Sequence, residues 1–134
     1  MSKVILKTIK GKKKFDELFK VGRSFREKDG YAVVKFRDKQ EEQNRICTYY
    51  AVSAGRKVAK KAVVRNRIKR LLRESIRRTA KEKAESFACI EQIFLGWKKA
   101  PRHPKLIHLK EVAPIVDKLI DKAVETYGKK EKRH

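Results

Sequence analysis

Two rhythms of apolar residues organise this chain, a helical period near 3.6 in three segments and short β-branched or aromatic runs between them. In the first, Lys12 to Val21, Phe15, Leu18 and Phe19 sit at i, i+3 and i+4, with Gly22 placed to end a short amphipathic helix. A weak strand near Arg23 to Arg26 and a stronger one over Tyr31 to Phe36 flank the turn signal Lys28-Asp29-Gly30, which is the pattern of a hairpin. A polar loop from Arg37 to Asn44 precedes Ile46 to Ser53, whose aromatic and β-branched content suits a central strand. A basic loop with Gly55 then leads into a long helix from Ala62 to near Ala84, and Ile90 to Trp97 reads as a fourth strand. Pro101 and Pro104 mark an extended loop beyond it. In the last segment Val112, Ile115, Val116, Leu119, Ile120, Ala123, Val124 and Tyr127 keep the helical period, with Pro114 in the tolerated first turn and Gly128 closing the helix. Residues 1–11 are basic and end at Gly11, so they read as a flexible arm, and residues 129–134 read as a flexible charged tail. The order αβββαβα, with helices that need a sheet face to cover, predicts a small α+β sandwich on a four-stranded sheet. One domain over residues 1–134 accounts for the whole length.

The long helix carries the densest chemistry. At about 100° per residue, Val64, Ile68, Leu71, Leu72, Ser75 and Ile76 share one sector, while Arg65, Asn66, Lys69, Arg70, Arg73 and Arg77 fan across its neighbour. One side is built to dock on a core and the other to face a polyanion. From Arg56 to Arg78 there are eleven basic residues against the single acid Glu74, a net +10 that little internal pairing can relieve.

Charge extends the picture to the whole chain, which carries 38 Lys and Arg against 16 Asp and Glu, +22 over 134 residues. Nucleic acid is the expected partner. No stretch approaches the roughly 20 apolar residues of a spanning helix, and Met1 to Leu6 lacks the features of a secretory signal, so the expectation is a cytoplasmic protein without a membrane. Cys47 and Cys89 have no second Cys or His at metal spacing, and neither a disulfide nor a zinc site is expected. His103, His108 and His134 fall in a loop, a helix start and a tail, and no acidic pair forms a recognisable catalytic motif, which argues against a nuclease made of protein alone.

The segment Ala62-Val63-Val64-Arg65-Asn66-Arg67-Ile68-Lys69-Arg70-Leu71-Leu72-Arg73-Glu74 closely resembles the signature helix of the bacterial ribonuclease P protein component. Phe15-Asp16-Glu17-Leu18-Phe19 with Gly22, the strand end Val52-Ser53, and Arg56-Lys57 fit the same pattern in the same order, so the resemblance covers most of residues 9–127. It implies an α/β sandwich with a left-handed βαβ crossover, a topology that pattern reading alone would not suggest because crossovers are generally right-handed. It further implies that the protein binds a catalytic RNA and the 5′ leader of precursor tRNA. The RNA performs the hydrolysis with Mg²⁺, held mainly by the RNA, and no obligate protein partner is implied. Carried over residue by residue, Arg65, Asn66 and Arg67 match the motif, Lys69, Arg70 and Arg73 continue it, and Arg56, Lys57, Lys60 and Lys61 match its basic approach loop. Phe15 and Phe19 match aromatics that line the leader cleft, and Tyr31 is assigned to the same cleft. The strand after Gly30 departs from the pattern: where many members have a tyrosine further along, Val34 stands here, between Tyr31 and Phe36. Lys98 and Lys99 are the only candidates after residue 85.

Two plainer readings compete. Phe15 and Phe19 would, on pattern alone, simply pack the first helix on the sheet, and a structural RNA-binding protein of ribosomal type would share the size and charge. The motif at residues 65–67 is what separates that protein from the family reading.

Overall fold

A computed structural model describes residues 3–39, 45–55, 57, 59–99 and 107–131. The elements are β1 (Val4–Thr8), α1 (Lys12–Val21), β2 (Arg23–Glu27), β3 (Gly30–Phe36), β4 (Ile46–Ser53), α2 (Ala62–Glu82), a short 3-10 helix (Ala84–Cys89), β5 (Ile90–Trp97) and α3 (Leu109–Glu131). The sheet has five strands in the order β1-β4-β5-β3-β2. β4 runs parallel to both β1 and β5, while β3 is antiparallel to β5 and β2. The parallel pair β4 and β5 flanks α2, the βαβ unit to which the expected crossover belongs.

The fifth strand corrects the expected count of four. Val4–Thr8, assigned above to a flexible arm, pairs residue for residue with Ile46–Tyr50. Its signal is weak because Val4, Ile5 and Leu6 are consecutive and flanked by lysines, which hides the period-2 alternation that becomes visible only against a partner. Lysines also suit an edge strand, where they oppose pairing with another chain.

Alternation across the pleat divides the sheet into two unlike faces. On one, Ala32, Val34, Ile46, Tyr50, Ile93, Leu95 and Trp97 are buried under α2 and α3, with Val4, Leu6, Phe25 and Phe36 packed at the margin. On the other, Val33 is buried with Ile9 and Leu18 of α1, while Phe15, Tyr49, Ala51 and Phe94 remain partly exposed around them. The apolar stripe of the α2 wheel holds, since Val64, Ile68, Leu71, Leu72, Ser75 and Ile76 are all buried. Ser75 and Thr79 are tolerated in that stripe because each hydroxyl donates to the carbonyl four residues back, Leu71 at 2.6 Å and Ser75 at 3.1 Å.

Two details of the last helix differ from expectation. α3 begins at Leu109, so Pro114 lies in its second turn, and Gly128 lies inside the helix, which runs on to Glu131. Both residues fall where packing asks little: Pro114 is exposed, and a Cβ on Gly128 would meet nothing within 4 Å. The hairpin turn is tighter. Lys28 takes a positive φ of 50°, and Gly30 is enclosed so closely that a Cβ there would come within 2.7 Å of the Ile115 side chain. Any larger residue at 30 would force the Ile115 side chain out of its place between α3 and the hairpin. Among the described residues no helix is long and apolar enough to cross a membrane.

The two sides of α2 should respond to truncation very differently. Leu72→Ala removes a side chain with no exposure and should cost about 2 to 5 kcal/mol in urea unfolding, whereas the exposed Arg73→Ala should stay within about 0.5 kcal/mol. Comparable losses at both positions would refute the packing described.

Candidate nucleic-acid interface

The incompletely covered sheet face holds a cluster of aromatic rings centred on Phe94. Phe15 and Phe19 of α1 meet it edge-on, with centroids at 6.4 and 5.0 Å, and Tyr31 of β3 lies at 6.1 Å. These are ordinary attractive geometries for ring quadrupoles. Phe19 nonetheless stays 51% exposed, so the cluster offers a ring to solvent in place of closing upon itself. Two ammonium groups flank it: Lys14 sits 4.8 Å from the Tyr49 centroid and Lys98 5.5 Å from that of Tyr31. Gly96 gives Tyr31 its place, because a Cβ at 96 would run into the tyrosine ring.

An ion-pair triad holds α1 against this face. Lys35 of β3 reaches Glu17 of α1 at 2.7 Å and Glu91 of β5 at 3.0 Å. Its hydrogen bonds to Glu17 and Glu91 raise the lysine pKa, and the hydrogen bond from Lys35 lowers that of Glu17. Since Glu17 lies between Phe15 and Phe19 in sequence, the triad fixes the helix that carries both rings.

The cationic helix presents its motif less uniformly than the wheel suggests. Arg65 is half-buried, donating from Nη1 to the carbonyls of Ala59 at 2.9 Å and Lys60 at 2.8 Å, so it ties down the loop that precedes its own helix. Arg67 is also half-buried and donates to the carbonyl of Ile107 at 3.4 Å. By contrast Asn66, Arg70 and Arg73 are exposed, as are Lys57, Lys60 and Lys61, while Lys69 is partly covered. Asn66, Arg67 and Arg70 line an open groove of about 390 Å³ with Val63, an exposed apolar residue. Arg56 lies outside the described residues, as do Pro101, His103, Pro104 and His134.

Of the assigned aromatics, Phe15, Phe19 and Tyr31 come together at one place. Val34 is fully buried on the opposite face, and Phe36 packs there with Phe25 and Tyr127 at 6.5 and 5.5 Å, which leaves Tyr31 as the aromatic of β3 in the cluster. Phe94 and Tyr49 were missed. A signal for both existed: in a strand with Ile93 and Leu95 on the core face, Phe94 must point the other way, and Tyr49 stands in the same relation to Thr48 and Tyr50.

These features define a small, strongly basic α+β sandwich with an aromatic cluster on one sheet face and a cationic helix packed on the other. A family model described as ribonuclease P matches residues 6–110, and the chain belongs to that family. The ribonuclease P protein component of Rickettsia felis is 37% identical over 87 residues, covering 62% of this chain and 74% of that protein. The ribonuclease P protein of Staphylococcus aureus is similar in structure, with a TM-score of 0.57, 17% identity, and coverage of 87% of this chain and 94% of that one. A mutant of the Staphylococcus aureus protein with defective mRNA degradation activity gives a TM-score of 0.58 at 17% identity, covering 87% and 86% of the two chains. At those identities the structural likeness establishes the shared α+β fold.

The triad makes a pH prediction. Because the folded state lowers the pKa of Glu17, its contribution is present above the ordinary glutamate value of 4.5 and is lost as pH falls through the lowered one. Lys35, raised above 10.5, loses its contribution only as pH rises past that raised value. Glu17→Gln should therefore lower the melting temperature at neutral pH, with the gap from the parent closing in strong acid. Glu17 is half-exposed, so the gap should be modest. A gap that persists unchanged at acid pH would disprove the ionic role.

Proposed function

We propose that this chain is the protein subunit of ribonuclease P, binding a catalytic RNA and the 5′ leader of precursor tRNA and assisting endonucleolytic removal of the leader in the cytoplasm. The observation that carries the reading is the coexistence of a half-exposed phenylalanine cluster with a helix whose outward cations have almost no acidic neighbours. In this reading Phe15, Phe19 and Tyr31, joined by Phe94, offer stacking faces to single-stranded leader bases. Such stacking is worth about 1 to 3 kcal/mol per base and tolerates any sequence, because every base has a π-face. Asn66, Lys69, Arg70 and Arg73, with Lys57, Lys60 and Lys61, supply contacts to RNA phosphates, and Arg65 and Arg67 act partly by holding the loops beside them. Arg56 joins this set on sequence grounds alone.

The hydrolytic chemistry is assigned to the RNA and its Mg²⁺. No group of three or more His, Cys, Asp or Glu side chains converges among the described residues, and the carboxylates of Glu17, Glu27, Asp117 and Asp121 each face a lysine.

Reconstitution tests the reading. The protein with its cognate RNA should cleave precursor tRNA at low salt and low Mg²⁺ faster than the RNA alone, and the protein by itself should not cleave. Equal rates with and without protein would overturn it. Within the reconstituted complex, Phe19→Ala should lower the ratio of precursor to mature tRNA affinity, since only the precursor brings a single strand to the ring. Loss of stability with an unchanged ratio would instead make Phe19 a packing residue. Arg70→Ala with Arg73→Ala should weaken RNA binding and reduce the slope of log affinity against log salt by about 1.4 to 1.8, or about 0.7 to 0.9 per lost phosphate contact.

A further inference from the structure

A second groove lies away from the aromatic cluster, on the other side of the sheet. It is formed where the edge strand β1 meets the C-terminal half of α2, encloses about 470 Å³, and is lined by Lys3, Val4, Leu6, Arg77, Ala80 and Lys81. The floor is apolar, the rim carries three cations, and no carboxylate lines it. Val4 and Leu6 face this way because they share the register of Ile46 and Thr48, the α2 side of the sheet.

We propose that this groove is a second RNA-binding surface that takes a single-stranded segment of the RNA partner, with a base against Val4, Leu6 and Ala80 and its phosphates on Lys3, Arg77 and Lys81. Charge complementarity favours an anionic occupant. Continuity with the motif helix favours RNA over an acidic protein: Arg70, Arg73, Arg77 and Lys81 follow one another at intervals of three, four and four residues. That spacing keeps them on one exposed face of the helix over about 16 Å of its length. A polynucleotide entering at Asn66 and Arg70 would meet cations along this whole path and reach the groove at its end. The volume, within the usual range of about 300 to 1,000 Å³ for small-ligand sites, leaves room for a splayed base, and unstacked bases are what proteins read most readily in RNA.

The inference rests on the RNA partnership proposed above, and the experiment separates the two. Full-length protein is assembled with its catalytic RNA, and Arg77→Ala/Lys81→Ala is compared with the parent. Both residues are exposed, so the variant should keep its melting temperature. Its affinity for the RNA should fall and its salt slope should drop by about 1.4 to 1.8. The ratio of precursor to mature tRNA affinity should not change, because the leader lies on the opposite sheet face. Arg77→Lys/Lys81→Arg should restore binding. A photo-crosslinker placed at Lys81 should attach to a nucleotide of the RNA. If the parent binds RNA but the double variant keeps its affinity and slope, this groove is not an RNA site. Crosslinks only to a second protein copy would also overturn the proposal. A parent that fails to bind RNA at all would refute both this inference and the function on which it rests.

Discussion

Each strand of the sheet sends alternate side chains to opposite faces, and the helices available to cover those faces are unequal. α2 and α3 have 21 and 23 residues and close the face built from Val34, Ile46, Tyr50, Ile93 and Leu95. The other face is left to α1 alone, whose ten residues pack chiefly on β3. A strip of sheet must stay open. The side chains that alternation delivers to it include Tyr31, Tyr49 and Phe94, so the open strip is aromatic, and the rings of Phe15 and Phe19 come down on its border.

Charge is distributed to serve the same division. With 16 acids for 38 bases, pairing is scarce, and it is concentrated where elements must be joined. Glu27 meets Lys118 and Lys122 to join β2 to α3, Asp117 and Asp121 hold Lys83 to join α3 to the end of α2, and Glu17 and Glu91 share Lys35 beneath α1. Exposed pairs of this kind contribute little individually, typically 0 to about 1 kcal/mol. Their larger effect is on where positive charge remains uncompensated. Glu74 is the sole acid between Arg56 and Arg78, so that stretch repels itself, a repulsion that a bound polyanion would relieve.

What could be read in the sequence tracks the range of the interactions involved. The bounds of α1, β4 and β5 and the buried stripe of α2 follow from residues within one or two turns of each other, and the structure has them at the expected positions. β1 was hidden because Val4–Thr8, though β-branched at Val4, Ile5 and Thr8, shows no clear alternation until β4 lies beside it. The end of α3 was misplaced because Gly128 has its usual value as a stop signal only where the chain needs to turn, and here it does not. Phe15, Phe19 and Tyr31 were identifiable through family resemblance, yet Phe94, which touches all three, was passed over. Its role depends on which face of β5 is closed, a tertiary fact that the alternation of Ile93, Phe94 and Leu95 encodes but that only the placement of α2 and α3 decides.

The same distinction between local and tertiary roles applies inside the Arg-Asn-Arg motif. Sequence treats its two arginines as equivalent surface cations, but their guanidinium groups already hold carbonyls, Ala59 and Lys60 for Arg65 and Ile107 for Arg67. Immobilising a long side chain on binding costs about 0.5 to 1.5 kcal/mol, and side chains fixed beforehand avoid much of that loss. Arg65 also orders the stretch that carries Lys60 and Lys61, so its influence extends to cations it does not touch. Removing it alters loop order and charge together, whereas the exposed Arg70 and Arg73 alter charge with little else. The motif is therefore as much a brace for the helix entrance as a row of charges, and any anion docking there would meet guanidinium groups already held by hydrogen bonds within the protein.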